Sequence, residues 1–533
     1  MTVYVPDDFT SDESDVLRRY FSNLDGPVFA LVNLPEVVKG ALFARYSRSP
    51  KSLRRLFLDE FVGDLDIAGD QTVDATIGLA RAEELYEKVF FEYGDDSVAQ
   101  LGGVHLACEQ ASNILTKVLE WGRLMSYLEQ STRYIAYDSR LGGRYRFYRD
   151  PAVLNSAFGT RYVGDMDRMF DAYSLLINKV TEFIRTSVPR GPTDSDFIYR
   201  QATRAKALDA VRGVLPAASL SNVGIYGTGQ AFEMLLLRMR AHPLPEAQHY
   251  AELMLYELRK VIPSFLKRVD LPERGGRWSH YIATTRDRTA ELVDGIFGGT
   301  PVDAAPSVEL LDWDPDAENK LLTAICYPHS NLPEAQISAK VGQLGAEDRI
   351  ALIRAYVGER ENRRHRPGRA FERVDYRFDV ISDYGAFRDL QRHRMLTIDW
   401  QPLTPNHGYV RPDLVDGAGM SEVFDDAMAR SAALYDALRL DFPHQASYAV
   451  SMAYRIRYSM QFNAREAMHM LELRSSPQGH PAYRRIALEM HRLIAEKAGH
   501  TAIAQAMSHM TDEAPELERL ESERRAEQRR QQT

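Results

Sequence analysis

The chain has 533 residues, which is enough for two or more domains with substantial cores. Charged residues make up 26% and hydrophobic residues 44%, as in ordinary globular proteins, and the net charge of -9 argues against broad nucleic-acid binding. With only two cysteines, Cys108 and Cys326, a disulfide scaffold and a cysteine-based zinc site are excluded. The acidic N-terminal stretch lacks an apolar core and no apolar run could span a bilayer, so we expect no signal peptide, no membrane association and a cytoplasmic location.

The predicted elements of the first half are mostly helical. Residues 1–27 are expected to be a polar lead-in with one short helix near residues 15–21. Residues 35–92 carry apolar side chains at helical spacing, and residues 98–120 are predicted to be largely helical. A loop is expected at residues 141–160. Further helices are predicted at 166–186, 204–216, 230–240 and 246–266, with a glycine-rich interruption at 224–229.

The second half repeats the first after a linker rich in Pro, Asp and Ala at residues 299–316. Arg123-Leu-Met-Ser resembles Arg394-Met-Leu-Thr, an offset of 394 − 123 = 271, and the segment ending at Arg238 resembles the one ending at Arg474, an offset of 474 − 238 = 236. The two offsets differ by 271 − 236 = 35 residues, which predicts an insertion in the first copy within residues 141–203. We therefore predict a first domain at 28–298, a second at 317–512 and a charged tail at 513–533.

A dense polar cluster at residues 129–134 follows the apolar, helix-like run of residues 114–119. It contains a carboxylate, two hydroxyls and a guanidinium, from Glu129, Ser131, Thr132 and Arg133. Arg133 offers a forked donor that the hydroxyls could join around a phosphate group. The alternative is a solvated helix end.

Two basic runs occur in the second half. Arg392, His393 and Arg394 follow a strand-then-helix pattern, and two guanidiniums flanking an imidazole suit a diphosphate or the edge of a reduced flavin. The alternative is a basic surface turn. The earlier run at residues 363–366 lies among prolines and glycines, so we predict a loop, with nucleic-acid binding as a weaker alternative.

Residues 463–474 are predicted to form one helix with two polar sides. Arg465 and His469 are four apart and share a side, whereas Arg474 returns to the side of Asn463. Two polar sides on a core-like helix suggest contacts to two parts of a ligand, and salt-bridged surface groups are the alternative. Arg212 precedes an apolar turn that ends at a proline, a feature that carries little information alone.

Together these motifs resemble the flavin-dependent thymidylate synthases, whose signature is RHRxxSxxExSxRY with a later RxVLP and an NxRSLxxFLxLR helix. The first copy matches ExSxRY from Glu129, RxVLP from Arg212 and the final arginine at Arg238. It departs elsewhere, with Trp121-Gly-Arg in place of RHR and Gly227, Gly229 and Glu233 in place of flavin contacts. The second copy keeps RHR and the later helix, has a His365…Glu372 element like the family's upstream one, and lacks ExSxRY and RxVLP.

The resemblance implies an α+β fold, with two copies of a helix-rich domain that carries an antiparallel sheet, arranged as a pseudo-dimer. Because the losses in the two copies are complementary, it implies one composite site per chain, and two chains would rebuild the family's four-subunit assembly as a homodimer. The implied reaction is reductive methylation of dUMP to dTMP with FAD, methylenetetrahydrofolate and NADPH. Neither nucleic acid nor a metal ion is expected to take part.

The resemblance also implies roles for single residues. Arg474 would be catalytic, because it would stabilise charge on the uracil as the N3 proton is lost. The nucleotide would be bound by Glu129, Ser131, Thr132, Arg133, Arg212 and Arg392. FAD would be bound by Arg392, His393, Arg394, Asn463, Arg465 and His469. Two alternatives remain open: a different modification of a pyrimidine nucleotide, since Asp389 stands where the family has a polar amide, and a non-catalytic flavin- or nucleotide-binding protein, since each copy has a broken signature.

Overall fold

The computed structural model describes residues 4–34, 42, 43, 46, 49–60, 62, 103–192 and 194–513, with residues 517, 520, 524, 527 and 528. Of the predicted helical stretch at 35–92, residues 63–92 lie outside the described part, as do residues 98–102 of the next predicted helix. Among the described helices, none combines the length and apolar character needed to cross a bilayer.

Helices account for most of the described regular structure. Those of the N-terminal lead-in and the first copy are α1 (Ser11–Leu17), α2 (Leu53–Glu60), α3 (Asn113–Leu119), α4 (Pro151–Leu154), α5 (Gly159–Ser187), α6 (Asp196–Val211), α7 (Gly229–Arg240), α8 (Pro245–Arg259) and α9 (Arg277–Phe297). Those of the second copy are α10 (Ala317–Cys326), α11 (Glu334–Val341), α12 (Ala346–Val357), α13 (Tyr384–Gln391), α14 (Asp413–Gly417), α15 (Ser421–Leu438), α16 (Ala464–Ser475), α17 (Pro481–Glu496) and α18 (Thr501–Ala506).

Each copy contributes one four-stranded antiparallel sheet. The first consists of β1 (Val28–Leu31), β2 (Gly103–Ser112), β3 (Met125–Glu129) and β4 (Leu220–Thr228), in the order β1-β2-β4-β3. The second consists of β5 (Val308–Trp313), β6 (Asp375–Asp383), β7 (Thr397–Trp400) and β8 (Arg455–Asn463), in the equivalent order β5-β6-β8-β7. The predicted α+β fold, with an antiparallel sheet in each copy, is confirmed.

The positions of the helix-capping residues also reflect the duplication. The Ser112 hydroxyl caps α3 by accepting from the backbone N–H of Leu115 at 3.0 Å, and the Asp383 carboxylate caps α13 in the same way. Their separation, 383 − 112 = 271, equals the offset found between the sequence motifs. Asn463 caps α16 and Thr228 caps α7, a separation of 463 − 228 = 235, which is one residue less than the offset of the arginines near the ends of these helices.

The chain forms two compact units that each include a segment from both copies. Unit 1 comprises Met1–Ser174, Leu215–Val302 and Ala429–Val450, and unit 2 comprises Leu175–Val214, Asp303–Met428 and Ser451–Thr533. Within unit 1, the backbone N–H of Ala218 donates to Tyr448 O at 3.0 Å, and within unit 2 that of Ala453 donates to Gly213 O at 2.8 Å. The boundaries predicted for the two sequence copies stay a prediction, and the compact units cross them.

Several stretches differ from the prediction. The loop expected at residues 141–160 contains α4, and the polar cluster expected at a helix end instead begins with Glu129 at the end of strand β3. Residues Gly103–Ser112, expected to be helical, form β2, and Val308–Trp313, inside the expected linker, forms β5. The glycine-rich interruption is part of the central strand β4, because glycine leaves room for close packing. A Cβ at Gly224 would lie 2.8 Å from a ring carbon of Phe43.

Candidate active site

Arg212, Arg392 and Arg474 converge on one carboxylate, that of Asp389, within unit 2. The closest nitrogen of each guanidinium lies 3.5, 3.7 and 3.9 Å, respectively, from a carboxylate oxygen. Asp389 lies on the last turn of α13, Arg392 directly follows that helix, and Arg212 follows α6 of the first copy. Three predicted site residues from three distant motifs therefore surround a fourth residue, and the group carries a net charge of about +2 if all four are ionised.

Arg212 also faces a second carboxylate, that of Asp383. Burial raises the pKa of Asp383, and the Arg212 guanidinium opposes that rise. A cavity of about 410 Å³ opens beside Arg212 in unit 2, and its wall also carries basic side chains from Lys206, Arg411 and Arg485 and acidic ones from Asp209 and Asp413. A volume of this size is typical of small-molecule sites.

Arg474, His393 and Glu466 form a hydrogen-bonded chain. Arg474 donates from Nε to His393 Nε2 at 3.0 Å, and it also donates from Nη2 to the main-chain oxygen of Asp389. Because Nε2 of His393 accepts this bond, its proton is on Nδ1, which donates to Glu466 Oε1 at 3.1 Å. The chain fixes the position of the guanidinium of Arg474.

Burial perturbs the ionisation of this chain and of His469. It lowers the pKa of His393 well below its usual value, with the Arg474 charge adding to the effect, and it lowers the pKa of His469 to about 4, with Arg366 and Arg363 contributing. Both imidazoles are therefore neutral at pH 7. Burial raises the pKa of Glu466 to about 7, although nearby arginines oppose the rise.

His393, Glu466 and His469 also offer potential metal-ligand atoms within 4.8 Å of one another. Nε2 of His393 already accepts from Arg474, and Arg366 Nη2 lies 3.4 Å from His469 Nε2. These guanidiniums would repel a divalent cation, so the surroundings suit an anion better than a metal.

The remaining residues predicted to bind flavin are held by contacts within α16 and with the segment before β6. Asn463 accepts from the backbone N–H of Glu466 at 2.9 Å. Arg465 donates from Nε to Pro367 O at 3.0 Å and from Nη1 to Glu372 at 3.2 Å. Arg392 and Arg394 are exposed on either side of the buried His393.

The polar cluster of the first copy lies in unit 1 and divides into buried and surface groups. Glu129 is buried and pairs with Lys117 at 3.3 Å, and Lys117 also pairs with Glu120. Thr132 is buried, whereas Ser131 and Arg133 are partly exposed. The predicted phosphate contacts Ser131 and Arg133 thus reach the surface, while Glu129 belongs to a buried ion cluster.

In the first copy, the positions that match the predicted flavin-binding residues of the second copy are filled by contacts among first-copy side chains. The guanidinium of Arg238 lies 3.3 Å from the centroid of Trp121, the residue that replaces the first arginine of RHR, and burial lowers the pKa of Arg238 to about 10. Glu233 pairs with Arg268 through two bonds of 3.0 and 2.8 Å. Thr228, rather than Gly227, holds the cap equivalent to Asn463.

Two structural features of the site were missed by sequence reasoning. Glu466 was not singled out, although a carboxylate three residues after a capping asparagine is a recognisable helix-start pattern. Arg360 donates twice, at 2.6 Å each, to the buried carboxylate of Glu472 on α16, two residues before Arg474. No local sequence signal pairs residues that are 112 positions apart.

The comparisons with known proteins define the class to which this fold and site belong. The family model described as "Thymidylate synthase complementing protein" matches residues 44–264 and 309–499, so most of the chain is covered in two segments. The chain belongs to this family, as a tandem and divergent member.

Individual relatives are similar over nearly their whole length. A UPF0159 protein of Chlamydia pneumoniae is 38% identical over 496 residues, which are 92% of this chain and 93% of the relative. A UPF0159 protein of Chlamydia muridarum is 37% identical over 97% of this chain and 98% of its own. A UPF0159 protein of Thermoplasma acidophilum is 32% identical over 87% of this chain and 94% of the relative.

Proposed function

We propose that the protein is an FAD-dependent thymidylate synthase-like enzyme. It would convert dUMP to dTMP by reductive methylation, with methylenetetrahydrofolate as carbon donor and NADPH as reductant. The observation that carries the proposal is the convergence of Arg212, Arg392 and Arg474 on Asp389 in unit 2. These arginines belong to three motifs of the family signature and come from both sequence copies, and the family match supports the same conclusion.

The charge of this group favours an anionic ligand. A nucleotide monophosphate brings a phosphate, and its uracil gains negative charge when the N3 proton leaves. In the proposal, Arg212 and Arg392 bind dUMP. The composite site of the proposal combines Arg212 of the first copy with Arg392 and Arg474 of the second. Glu129, Ser131, Thr132 and Arg133 remain the proposed contacts of the first copy to the phosphate and sugar.

Arg474 would stabilise the negative charge that develops on the uracil. Its guanidinium is held from two directions, by His393 Nε2 and by the main-chain oxygen of Asp389. A donor that is oriented before the substrate arrives needs no reorganisation as charge develops, and removing such a donor typically costs about 10²–10³ in kcat.

The donors near α16 fit a flavin dinucleotide. Guanidiniums and an amide match a diphosphate and an anionic ring, and the proposed contacts are those of Arg392, His393, Arg394, Asn463, Arg465 and His469. Neutral His469 can donate or accept a hydrogen bond without adding charge. When bound, FAD supplies the hydride that reductive methylation requires.

Purified protein provides the first test. We expect a yellow protein whose flavin absorbance is bleached by NADPH under anaerobic conditions, and a dTMP product when dUMP and methylenetetrahydrofolate are added. Arg474→Ala should lower turnover by about 10²-fold or more. Arg373→Ala is the matched control, since Arg373 pairs with Glu334 on the surface. A colourless protein that does not take up FAD would contradict the proposal.

A second candidate keeps the flavin and a pyrimidine nucleotide but changes the product. Asp389 favours it, because a carboxylate among the three arginines stands where the family has a polar amide. The mass of the product formed from dUMP separates the two candidates: the mass of dTMP supports the first, and a different mass supports the second.

A third candidate is a non-catalytic flavin- or nucleotide-binding protein. The contacts of Trp121 with Arg238 and of Glu233 with Arg268 favour it, because they occupy the flavin side of the first copy. If Arg474→Ala preserves cellular function fully, binding rather than catalysis is the role of the protein. For the enzyme, loss of function is expected.

A further inference from the structure

Helix α9 leaves half of its length without packing in unit 1. Its first turns contact the unit, where the Ser279 hydroxyl donates to Leu237 O at 3.2 Å and Arg286 donates to Ala241 O. From Asp287 to Phe297 every residue is exposed. The helix lies between the two segments that match the family model, so it is an addition to the shared fold.

The exposed part of α9 is apolar on one side. Leu292 is 62% and Ile296 is 69% exposed, and Trp278 at the other end is 44% exposed. A free helical stretch of about ten residues is marginally stable in water, and its stability normally comes from packing an apolar face. Exposed apolar faces of this kind mark interaction sites.

The apolar side of α9 has the spacing of a helix-pairing seam. Its positions are four and three residues apart in alternation, as in the core of two-stranded coiled coils. They are the apolar Trp278, Ile282, Leu292 and Ile296, of which Ile282 is partly exposed, with Thr285 and Thr289 between them.

This seam is symmetric about Asp287. Trp278 and Ile296 each lie nine residues from it, and Thr285 and Thr289 each lie two residues from it. Ile282 and Leu292 are likewise equidistant. A helix with such a pattern can pair with an identical helix in the antiparallel direction, so that each seam position meets the seam position of the second helix that lies equally far from Asp287 on the other side. A two-fold axis requires this self-complementarity.

The charges of α9 favour the same arrangement. The N-terminal half carries Arg277 and Arg286, and the C-terminal half carries Asp287, Glu291 and Asp294 with the single cation Arg288. Arg286 and Asp287 pair with each other at the middle of the helix, so the outer charges are Arg277 on one side and Glu291 and Asp294 on the other. Antiparallel pairing places each half opposite the half of opposite sign, whereas parallel pairing places like charges together.

We infer that α9 pairs in the antiparallel direction with α9 of a second copy of this chain and forms a two-fold dimer contact. Trp278 packs against Ile296 of the second copy, and Ile282 packs against Leu292. The inference is independent of the proposed function, because no residue of the proposed active site belongs to α9.

Solution mass of the full chain tests the inference. The wild type should have at least twice the chain mass of 60.6 kDa, measured by light scattering after size exclusion. Leu292→Asp with Ile296→Asp should halve the mass, with an unchanged content of helix by circular dichroism. Leu440→Asp, at a position that is 79% exposed in unit 1, should leave the mass unchanged. A monomeric wild type, or a double variant that keeps its mass, would overturn the inference.

Cysteine cross-linking tests the direction of pairing. Two differently tagged chains are co-expressed, one with Thr285→Cys and one with Thr289→Cys, both with Cys326→Ser. Antiparallel pairing should give a disulfide between the two variants and none in either variant expressed alone. A cross-link in either variant alone would show parallel pairing, and no cross-link in any sample would remove α9 from the interface. Both results would overturn the inference.

Discussion

Arg474 and His393, 81 positions apart, are joined by a hydrogen bond of 3.0 Å in which the guanidinium Nε donates to the imidazole Nε2. A protonated imidazole could not accept this bond, so the contact depends on a neutral His393. Burial keeps His393 neutral, and Glu466 accepts from its other nitrogen. The position of the proposed catalytic arginine is therefore linked to the ionisation of Glu466.

Glu466→Gln should change the pH dependence of dUMP binding. The amide oxygen of glutamine can still accept from His393, but the side chain no longer titrates. The pKa of Glu466 is about 7, so wild-type affinity should weaken below neutrality as the carboxylate takes up a proton, and the variant should lack this inflection. Calorimetric titrations with dUMP from pH 6 to pH 8.5 measure the effect. Identical profiles for both proteins would disprove the link.

The same variant should alter how stability depends on pH. Because its pKa rises from 4.5 to about 7 on folding, Glu466 binds its proton more tightly in the folded protein, and its contribution to stability falls as pH rises through this range. His469, with its pKa lowered from 6.5 to about 4, acts in the opposite sense and loses stability as pH falls. Relative to wild type, Glu466→Gln should therefore gain up to ~3 kcal/mol between pH 4.5 and pH 8. Denaturant unfolding at each pH measures this, and a constant difference between the proteins would argue against it.

Asp389→Asn should strengthen the binding of dUMP. The substitution removes the carboxylate that competes with an anionic ligand for Arg212, Arg392 and Arg474, and it introduces the amide typical of the family. We expect a gain in affinity on the order of tenfold, about 1.4 kcal/mol, by calorimetry. Asp399→Asn is a control because Asp399 is exposed on β7. Weaker binding by Asp389→Asn would show that the carboxylate itself contacts the nucleotide.

Arg360→Ala should destabilise α16 and the arginine that it carries. Glu472 would become a buried charge without its bidentate partner, which typically costs about 3–5 kcal/mol. Arg360→Ala with Glu472→Gln should recover part of this loss, because the glutamine carries no charge. Thermal unfolding measures both variants, and Arg373→Ala should shift the midpoint little because its ion pair is exposed. Equal stability of the wild type and Arg360→Ala would contradict this account.

Tyr448→Phe tests the membership of residues 429–450 in unit 1. The Tyr448 hydroxyl donates to the buried Glu246 at 2.7 Å, and Glu246 also accepts from the hydroxyl and the backbone of Ser112 at 2.6 and 2.8 Å. Loss of the tyrosine donor should cost about 1–3 kcal/mol and lower the melting temperature of unit 1. Tyr256→Phe, at an exposed position, should have little effect. If both variants melt together with wild type, the contact is absent in solution.

Motif spacing predicted much of the second copy. The strand-then-helix pattern before Arg392 corresponds to β6 and α13, and the helix expected from Asn463 to Arg474 is α16 with Asn463 as its cap. These elements have strong local signals, since apolar periodicity and a capping side chain lie within a few residues of each other. The convergence of Arg392 and Arg474 follows from those elements and the shared sheet.

Other features depend on contacts between distant residues. The sequence of β4 contains glycines whose purpose is close packing against Phe43 and Met125, and nothing within the strand indicates those partners. No local sequence pattern indicates that each unit contains segments from both copies. Arg212 illustrates the consequence, because its sequence context is in the first copy and its observed partner Asp389 is in the second.

The two copies differ by one residue in the spacing between a helix start and the matching arginine, which limits how the first copy could regain the features of the second. Arg238 is the tenth residue of α7, counted from Gly229, whereas Arg474 is the eleventh residue of α16, counted from Ala464. One residue corresponds to a rotation of about 100° around the helix axis. Exchanging side chains in the first copy would leave that rotation in place. If the second copy binds flavin as proposed, an equivalent site in the first copy would require an inserted residue as well, so point mutation alone cannot make the two copies equivalent.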